Sequence, residues 1–179
     1  MFGGLTNKGA TLVETWSFRH DIARPANFYV VLLRPTTIAG LDAIAAEDLE
    51  EAVRAVFADV NTMADVVQIP EGSGYVDGGY ELNPNATDFP TITEDDAEDE
   101  GVLTIKDIVW TATGELPFGA GADPTKSARF AAITTDEAAV ADRRIIVWFY
   151  LDSNRAVSSG QSLTLALPSV TIRRPSSET

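Results

Sequence analysis

The run from Ile145 to Leu151 constrains the fold more than any other stretch of this sequence. Its seven consecutive residues are all apolar and mostly β-branched or aromatic, which is typical of a strand covered on both faces. A helix of this length would be short, and Asp152-Ser153-Asn154 predicts a turn that ends the strand. Gln161 to Leu167 and Ser169 to Arg173 predict two more short strands. We therefore expect a β-rich core built around the C-terminal part of the chain.

Three other segments have the pattern of strands. Asn27 to Leu33 is a second apolar run, and we expect it to pair with the first one at the centre of a sheet. Ser127 to Thr134 predicts an edge strand. Val102 to Ala112 predicts one strand whose apolar phase shifts, which indicates a bulge.

Glycines interrupt two segments near strands. Tyr75 to Leu82 predicts a strand broken at Gly78-Gly79, where a bulge or a close approach of two backbones is expected. Met1 to Gly4 contains two glycines, and its composition predicts a flexible end.

Two segments have helical patterns. Thr6 or Asn7 can cap a helix that continues to about Phe18. Leu41 to Phe57 repeats apolar residues at three- and four-residue spacing, with acidic residues in its first half. We expect a single domain over residues 1–179: a mainly β, antiparallel β-sandwich of jelly-roll-like form. It would carry an N-terminal helix and an amphipathic helix inserted at about residues 39–65.

Charge and composition argue against several classes of protein. The chain has 13 basic and 27 acidic residues, for a net charge of −14. Such a surface repels nucleic-acid phosphates and anionic lipid, so we expect no nucleic acid and no membrane partner. The absence of cysteine removes disulfides and thiolate chemistry. No apolar run approaches the ~20 residues of a membrane span, and no signal pattern opens the chain, so we expect a soluble protein that is not exported.

The chain offers few parts for catalysis. His20 is its single histidine, so a Ser-His-Asp triad or a multi-histidine metal site lacks members. Gly72-Ser73-Gly74-Tyr75 is not followed by lysine and does not have the spacing of a phosphate loop. Trp16, Trp110 and Trp148 lie in apolar patterns typical of core residues. We expect no enzyme and no cofactor.

An acidic run resembles part of a calcium loop. Residues 94–100 contain six carboxylates, and Gly101 follows. The oxygen ligands of a calcium loop would be Asp96, Glu98, Glu100 and Asp107. Glutamates replace the usual small ligands, and a strand rather than a helix follows. We therefore expect a solvated acidic loop and keep calcium binding as the alternative.

The order of several short motifs resembles that of small structural proteins of tailed bacteriophages, described as tail-fibre-like or virion proteins. These motifs are Leu5-Thr6-Asn7, Pro25 to Leu32, Gly72 to Tyr75, Ile108 to Gly114, Ile146 to Leu151, Ser158 to Gln161 and Val170 to Ile172. The sequence departs from the pattern at Ala39 to Val67, where the helix is extra, and around Phe118 to Lys126.

This resemblance implies a non-enzymatic protein of the virion, made in the host cytoplasm. The leading hypothesis is a capsid cement or decoration protein that binds neighbouring capsid subunits. A tail, baseplate or tail-fibre component is the alternative, and a host-glycan-binding sandwich domain is the third. The implied partners are the major capsid protein or tail proteins, with a homo-oligomer in the particle, for which a trimer is one option.

Segments outside the predicted core are the candidates for partner contact. They are the first residues of the chain, the loop from Gly114 to Lys126 and the C-terminal tail. Apolar side chains on such segments are effective anchors when a partner buries them. The candidate partner-binding residues are Phe2, Leu5, Leu116, Phe118 and Ile172, with Phe2 and Phe118 as the expected anchors.

Overall fold

Ten strands and two helices form in the described part of the chain, residues 2–14, 23–95, 100–113, 127–155 and 157–173 of a computed structural model. The strands are β1 (Phe2–Leu5), β2 (Phe28–Leu33), β3 (Tyr80–Leu82), β4 (Thr91–Asp95), β5 (Glu100–Thr104), β6 (Ile108–Thr111), β7 (Ala128–Thr134), β8 (Ile145–Arg155), β9 (Ser162–Leu165) and β10 (Val170–Arg173). The helices are α1 (Asn7–Glu14) and α2 (Leu49–Asp59). The prediction of a mainly β, antiparallel protein with two helices is confirmed.

The strands form one large sheet and two small ones. Five strands make an antiparallel sheet in the order β1-β8-β7-β2-β3. A three-stranded sheet has the order β10-β5-β4, and β6 pairs with β9. The apolar run that begins β8 is buried, as its composition predicts, and it lies between β1 and β7.

The strand predicted to lie at an edge is in the centre of the large sheet. β7 separates β2 from β8, so these two long apolar strands share a sheet but do not pair directly. Ala132 of β7 is in register with Val31 on one side and Trp148 on the other. A small side chain at this position leaves room for the large neighbours. Alanine has a weak preference for strands, which is why the sequence understates this one.

The predicted end of the central run at Asp152 is wrong. β8 continues to Arg155, and Asp152 has a φ of 63°. The register with β7 shifts between the pairs Phe130–Tyr150 and Ala128–Arg155. The turn-type residues therefore form a bulge inside the strand, since aspartate is one of the residues that tolerate a positive φ.

The segment predicted as a single strand from Val102 to Ala112 is divided. β5 and β6 belong to different sheets, and residues 105–107 connect them. Ile105 and Ile108, where the apolar phase changes, are both buried. The phase change marks the passage of the chain from one small sheet to the other, instead of a bulge.

Phe2 to Leu5 forms an edge strand on β8, although its composition predicted flexibility. A Cβ atom on Gly3 would lie 2.3 Å from the carbonyl oxygen of Trp148. Glycine is therefore needed here for close backbone approach. The expected close approach at Gly79 is confirmed, because a Cβ there would lie 2.1 Å from the carbonyl oxygen of Val30.

Thr6 caps α1. It is one of the two residues, Thr6 and Asn7, that the sequence predicts for this position. The Thr6 hydroxyl oxygen accepts a hydrogen bond of 2.8 Å from the backbone N–H of Gly9 and donates one of 2.6 Å to the carbonyl oxygen of Ile145. The cap therefore also joins the helix to β8. The predicted end of this helix near Phe18 lies outside the described residues.

The second helix begins later than Leu41. Leu41–Ala43 is a 3₁₀ turn that follows Gly40, whose φ is 72°, and Ile44 is extended. α2 itself begins at Leu49. The helical spacing of Leu41 and Ile44 arises because both pack against the same apolar core as α2.

The large sheet has an apolar core on each face. On one face, α2 packs through Val53 and Phe57, and the Phe57 ring stacks on Trp148 at 4.9 Å between centroids. α2 thus covers part of that face. The other core joins Val30 and Leu32 of β2 to residues from the small sheets, including Ile108, Leu165 and Val170.

Candidate functional site

An apolar cavity of about 520 Å³ opens between α1, the start of β2 and the β4–β5 hairpin. This volume is within the range of pockets that bind ligands or side chains, ~300–1,000 Å³. Its apolar lining includes Val13, Phe28, Phe89, Ile92, Leu103 and Val147. Ile146 and Val147, at the start of β8, also line the cavity, so part of its lining belongs to the large sheet.

Two phenylalanines form one wall of the cavity. Phe28 and Phe89 meet edge to face, with ring centroids 5.9 Å apart and an interplanar angle of 80°. Both rings are partly buried against the core. This geometry is favourable for aromatic pairs and fixes the position of the loop that carries Phe89.

That loop, residues 83–89, is held by its own polar side chains. The amide oxygen of Asn85 accepts hydrogen bonds from the backbone N–H groups of Thr87 and Asp88, at 2.8 and 3.0 Å. The Asp88 carboxylate accepts one of 2.7 Å from the N–H of Asn83. Asn and Asp form such local turns readily, so a defined loop can present Phe89 to the cavity.

An ion pair between buried Asp88 and partly exposed Lys106 ties the loop to the connection between β5 and β6. Lys106 Nζ lies 2.5 Å from Asp88 Oδ1 and 5.0 Å from the centre of the Tyr80 ring. The hydrogen bond from Lys106, together with that from the Asn83 N–H, lowers the pKa of the Asp88 carboxyl below its ordinary value. The same hydrogen bond raises the pKa of Lys106. Both groups are charged at neutral pH, which keeps the cavity wall in place.

Ile92 stands at the mouth of the cavity. It lies on β4, the outer strand of the three-stranded sheet, and is 78% exposed. It is the most exposed of the large apolar residues described in the structure. Ile92 extends the apolar lining of the cavity to the surface, and contiguous apolar patches of this kind mark sites of protein or ligand binding.

The predicted partner-binding residues do not come together in the described structure. Leu5 is partly buried against the core. The backbone of Phe2 pairs with Tyr150, and that of Ile172 with Gly101, but their side chains lie outside the described part. Leu116 and Phe118 also lie outside it. The role of these residues in binding stays a prediction.

The acidic run is described only at its ends. Glu100 begins β5, with its backbone paired to Asp95, and Asp107 is exposed between β5 and β6. Asp96 and Glu98 lie outside the described residues. Within those residues, no cluster of three or more His, Asp or Glu side chains could hold a metal ion. The calcium alternative stays untested at the loop itself.

Other residues singled out in the sequence stabilise the fold. Trp110 and Trp148 are buried, as predicted, while Trp16 and His20 lie outside the described residues. The glycines at 72 and 74 close a tight turn that buries Tyr75, and the Tyr75 hydroxyl accepts a hydrogen bond of 3.0 Å from the N–H of Leu32. Burial raises the pKa of Tyr75 above its ordinary value. The turn from Gly72 to Tyr75 therefore serves the packing of the core.

The sequence pattern does not identify the residues that form the cavity. Thr91-Ile92-Thr93 follows a proline and has the alternating pattern of a half-exposed strand. That pattern predicts the strand. It does not predict that Ile92 would lie at an open edge next to Phe89 and Leu103, because this depends on the pairing of distant segments.

Comparison of the chain with protein-family models, curated protein sequences and solved structures finds no significant match. Among the described helices, none has the length and apolar character needed to cross a membrane.

Proposed function

We propose that the protein is a non-enzymatic structural subunit of a tailed-phage virion, of the capsid cement or decoration kind, and that it binds neighbouring protein subunits at the cavity beside Ile92. The observation that carries the binding role is the open apolar cavity next to an isoleucine that is 78% exposed. A side chain from a neighbouring subunit would remove both from water, and burial of apolar surface is the main driving force of protein association. The assignment to a virion rests on the resemblance of the sequence motifs.

The charge of the chain supports an accessory role. At a net charge of −14, free copies repel one another and stay soluble until they meet a partner with a complementary surface. A subunit that is added to an assembled shell benefits from this behaviour.

The proposal includes a β-sandwich in which the two small sheets lie over one face of the large sheet. It is supported by the apolar core that Val30 and Leu32 share with Ile108 and Leu165. α2 would then be an additional layer on the outer face of the large sheet, held there by Phe57.

The test measures how much of the protein is incorporated into particles of the phage that encodes it. Three versions of the phage are compared, which carry the wild-type protein, the Ile92→Lys variant or the Val109→Lys variant. Val109 is the matched control, because it is also an apolar strand residue with 48% exposure, but it lies on β6 away from the cavity. We expect wild type and Val109→Lys to be incorporated equally and Ile92→Lys to be lost. Gel densitometry of purified virions measures incorporation, and thermal unfolding of the three purified proteins verifies equal stability.

Other outcomes separate the hypotheses. A large copy number on the head supports a decoration protein, whereas a few copies at the tail support a tail, baseplate or fibre component. Absence of the wild-type chain from the particle contradicts the virion role. Normal incorporation of Ile92→Lys contradicts the proposed site.

A further inference from the structure

A row of apolar side chains crosses the three-stranded sheet and ends at its outer edge. Val170 of β10 is in register with Leu103 of β5, which is in register with Ile92 of β4. Directly paired residues on neighbouring strands point to the same face. Exposure rises along this row, from 6% at Val170, through partly buried Leu103, to 78% at Ile92. The apolar face therefore reaches the edge before it is fully covered.

β4 is an edge strand of the three-stranded sheet. β5 pairs with one side of β4, and no strand of the described structure pairs with the other side. In an antiparallel strand, alternate residues direct their N–H and C=O groups to each side. The edge therefore presents backbone donors and acceptors next to Ile92, which is the arrangement that accepts an additional strand.

The charge of the chain selects the kind of strand that can be added. Glu94 and Asp95 follow Ile92 on β4, and the net charge is −14. A second copy of this chain would bring the same charge and the same acidic strand to the edge, which like-charge repulsion opposes. An extended segment with basic residues would instead be attracted to it.

We propose that β4 is a docking edge for an extended, basic segment of a different protein, which adds as a fourth strand and places an apolar side chain beside Ile92 and the cavity. This inference rests on the proposed function only in that both require a protein partner. It adds the mode of binding, strand addition, and the chemistry of the partner, alternating apolar and polar residues flanked by lysine or arginine.

The probe is a synthetic peptide of alternating valine and threonine with two lysines at each end. The peptide is titrated separately into the wild-type protein and into its Ile92→Thr and Val109→Thr variants. Threonine keeps the β-branched shape, and Val109→Thr controls for the loss of an exposed apolar residue elsewhere. Backbone NMR shifts and amide hydrogen exchange follow β4, and calorimetry gives the dissociation constant.

We expect saturable binding, slower exchange of β4 amides in the complex, and unchanged binding to Val109→Thr. Ile92→Thr should bind about tenfold more weakly, because about 1.4 kcal/mol of apolar contact is lost. A peptide with glutamate in place of lysine should bind more weakly than the lysine peptide, and the difference should shrink at high salt.

Three results of the titration would overturn the proposal. They are absence of binding, binding that does not respond to Ile92→Thr, and binding without protection of β4 amides. Association of the free chain with itself through β4, seen as intermolecular contacts in mixed isotope-labelled samples, would identify a second copy as the occupant and also overturn it. The peptide experiment needs no virion, so its failure leaves the proposed function in place. Conversely, absence of the chain from particles would not alter the peptide result.

Discussion

The centre of the large sheet and the outer edge of the three-stranded sheet both carry a large apolar side chain on a strand, but the protein covers only the first. Trp148, in β8, is 1% exposed and stacks on Phe57 of α2. Ile92, in β4, is 78% exposed beside an open cavity. Large apolar residues on strands are therefore buried in one region of the molecule and exposed in the other.

The difference shows how an apolar strand can serve stability or binding. At the centre, neighbouring strands and α2 remove the side chains from water, so their burial contributes to folding. At the edge, the corresponding burial has not occurred in the free chain, so it is available for association. Each of the following substitutions tests one side of this comparison.

Trp148→Ala should have the largest effect on stability. Loss of the buried indole, which stacks on Phe57, removes its transfer free energy and leaves a cavity, for a decrease of roughly 3–5 kcal/mol in the free energy of unfolding. Denaturant titration measures this loss of stability, and Val109→Ala, at an exposed position, is the control. An unchanged midpoint would show that the centre of the sheet is not the main source of stability.

Asp88→Asn should be next, and its effect should depend on pH. At neutral pH we expect a loss of roughly 1.5–3 kcal/mol, because a charge-assisted hydrogen bond between the buried Asp88 carboxylate and Lys106 is removed. The folded-state pKa of Asp88 is lowered. The stabilisation is therefore fully present above the unfolded pKa of about 3.9 and is lost as pH falls through the lower folded value.

The measurement is the difference in free energy of unfolding between wild type and Asp88→Asn at a series of acidic pH values. Exposed Asp107→Asn is the control, since this residue lies next to Lys106 in sequence but points to solvent. A difference that stays constant down to strongly acidic pH would contradict the role of the Asp88 charge in holding the cavity wall.

Ala132→Leu should cost roughly 1–3 kcal/mol, because a larger side chain does not fit between Val31 and Trp148 without displacing them. Ala55→Leu, on the exposed side of α2, should leave stability nearly unchanged. Thermal unfolding of both variants compares them directly. Equal midpoints would mean that the centre of the sheet is loosely packed at β7.

Ile92→Ser should change the free energy of unfolding least, by less than about 0.5 kcal/mol, because surface positions contribute little to stability. The same variant should lose partner binding. A large loss of stability would place Ile92 in the core of the free protein and remove the contrast between the two regions.

Much of the large sheet could be predicted from local patterns. The apolar runs of β2 and β8, and the cap at Thr6, depend on residue types within a few positions of one another. Periodicity reports how often a side chain is buried along one element. It does not report which elements are neighbours, which explains why the pattern predicts an edge position for β7 and an early start for α2.

The candidate site could not be predicted for the same reason. Phe28, Phe89, Ile92 and Leu103 are unremarkable in the sequence, and each lies in a different element or loop. The cavity exists because the β4–β5 hairpin and the loop around Asp88 meet the start of β2. Only the tertiary arrangement brings these residues together.

The sequence by itself determined that the chain is mainly β, that the run from Ile145 to Leu151 is buried, and that the surface is strongly acidic. These properties follow from local composition, which sets how strongly each segment avoids or prefers water. The tertiary structure decided that β7 is central and that β4 is an edge with Ile92 open to solvent. The position of a strand within a sheet depends on backbone pairing between segments far apart in the chain, and every strand offers the same donors and acceptors for that pairing.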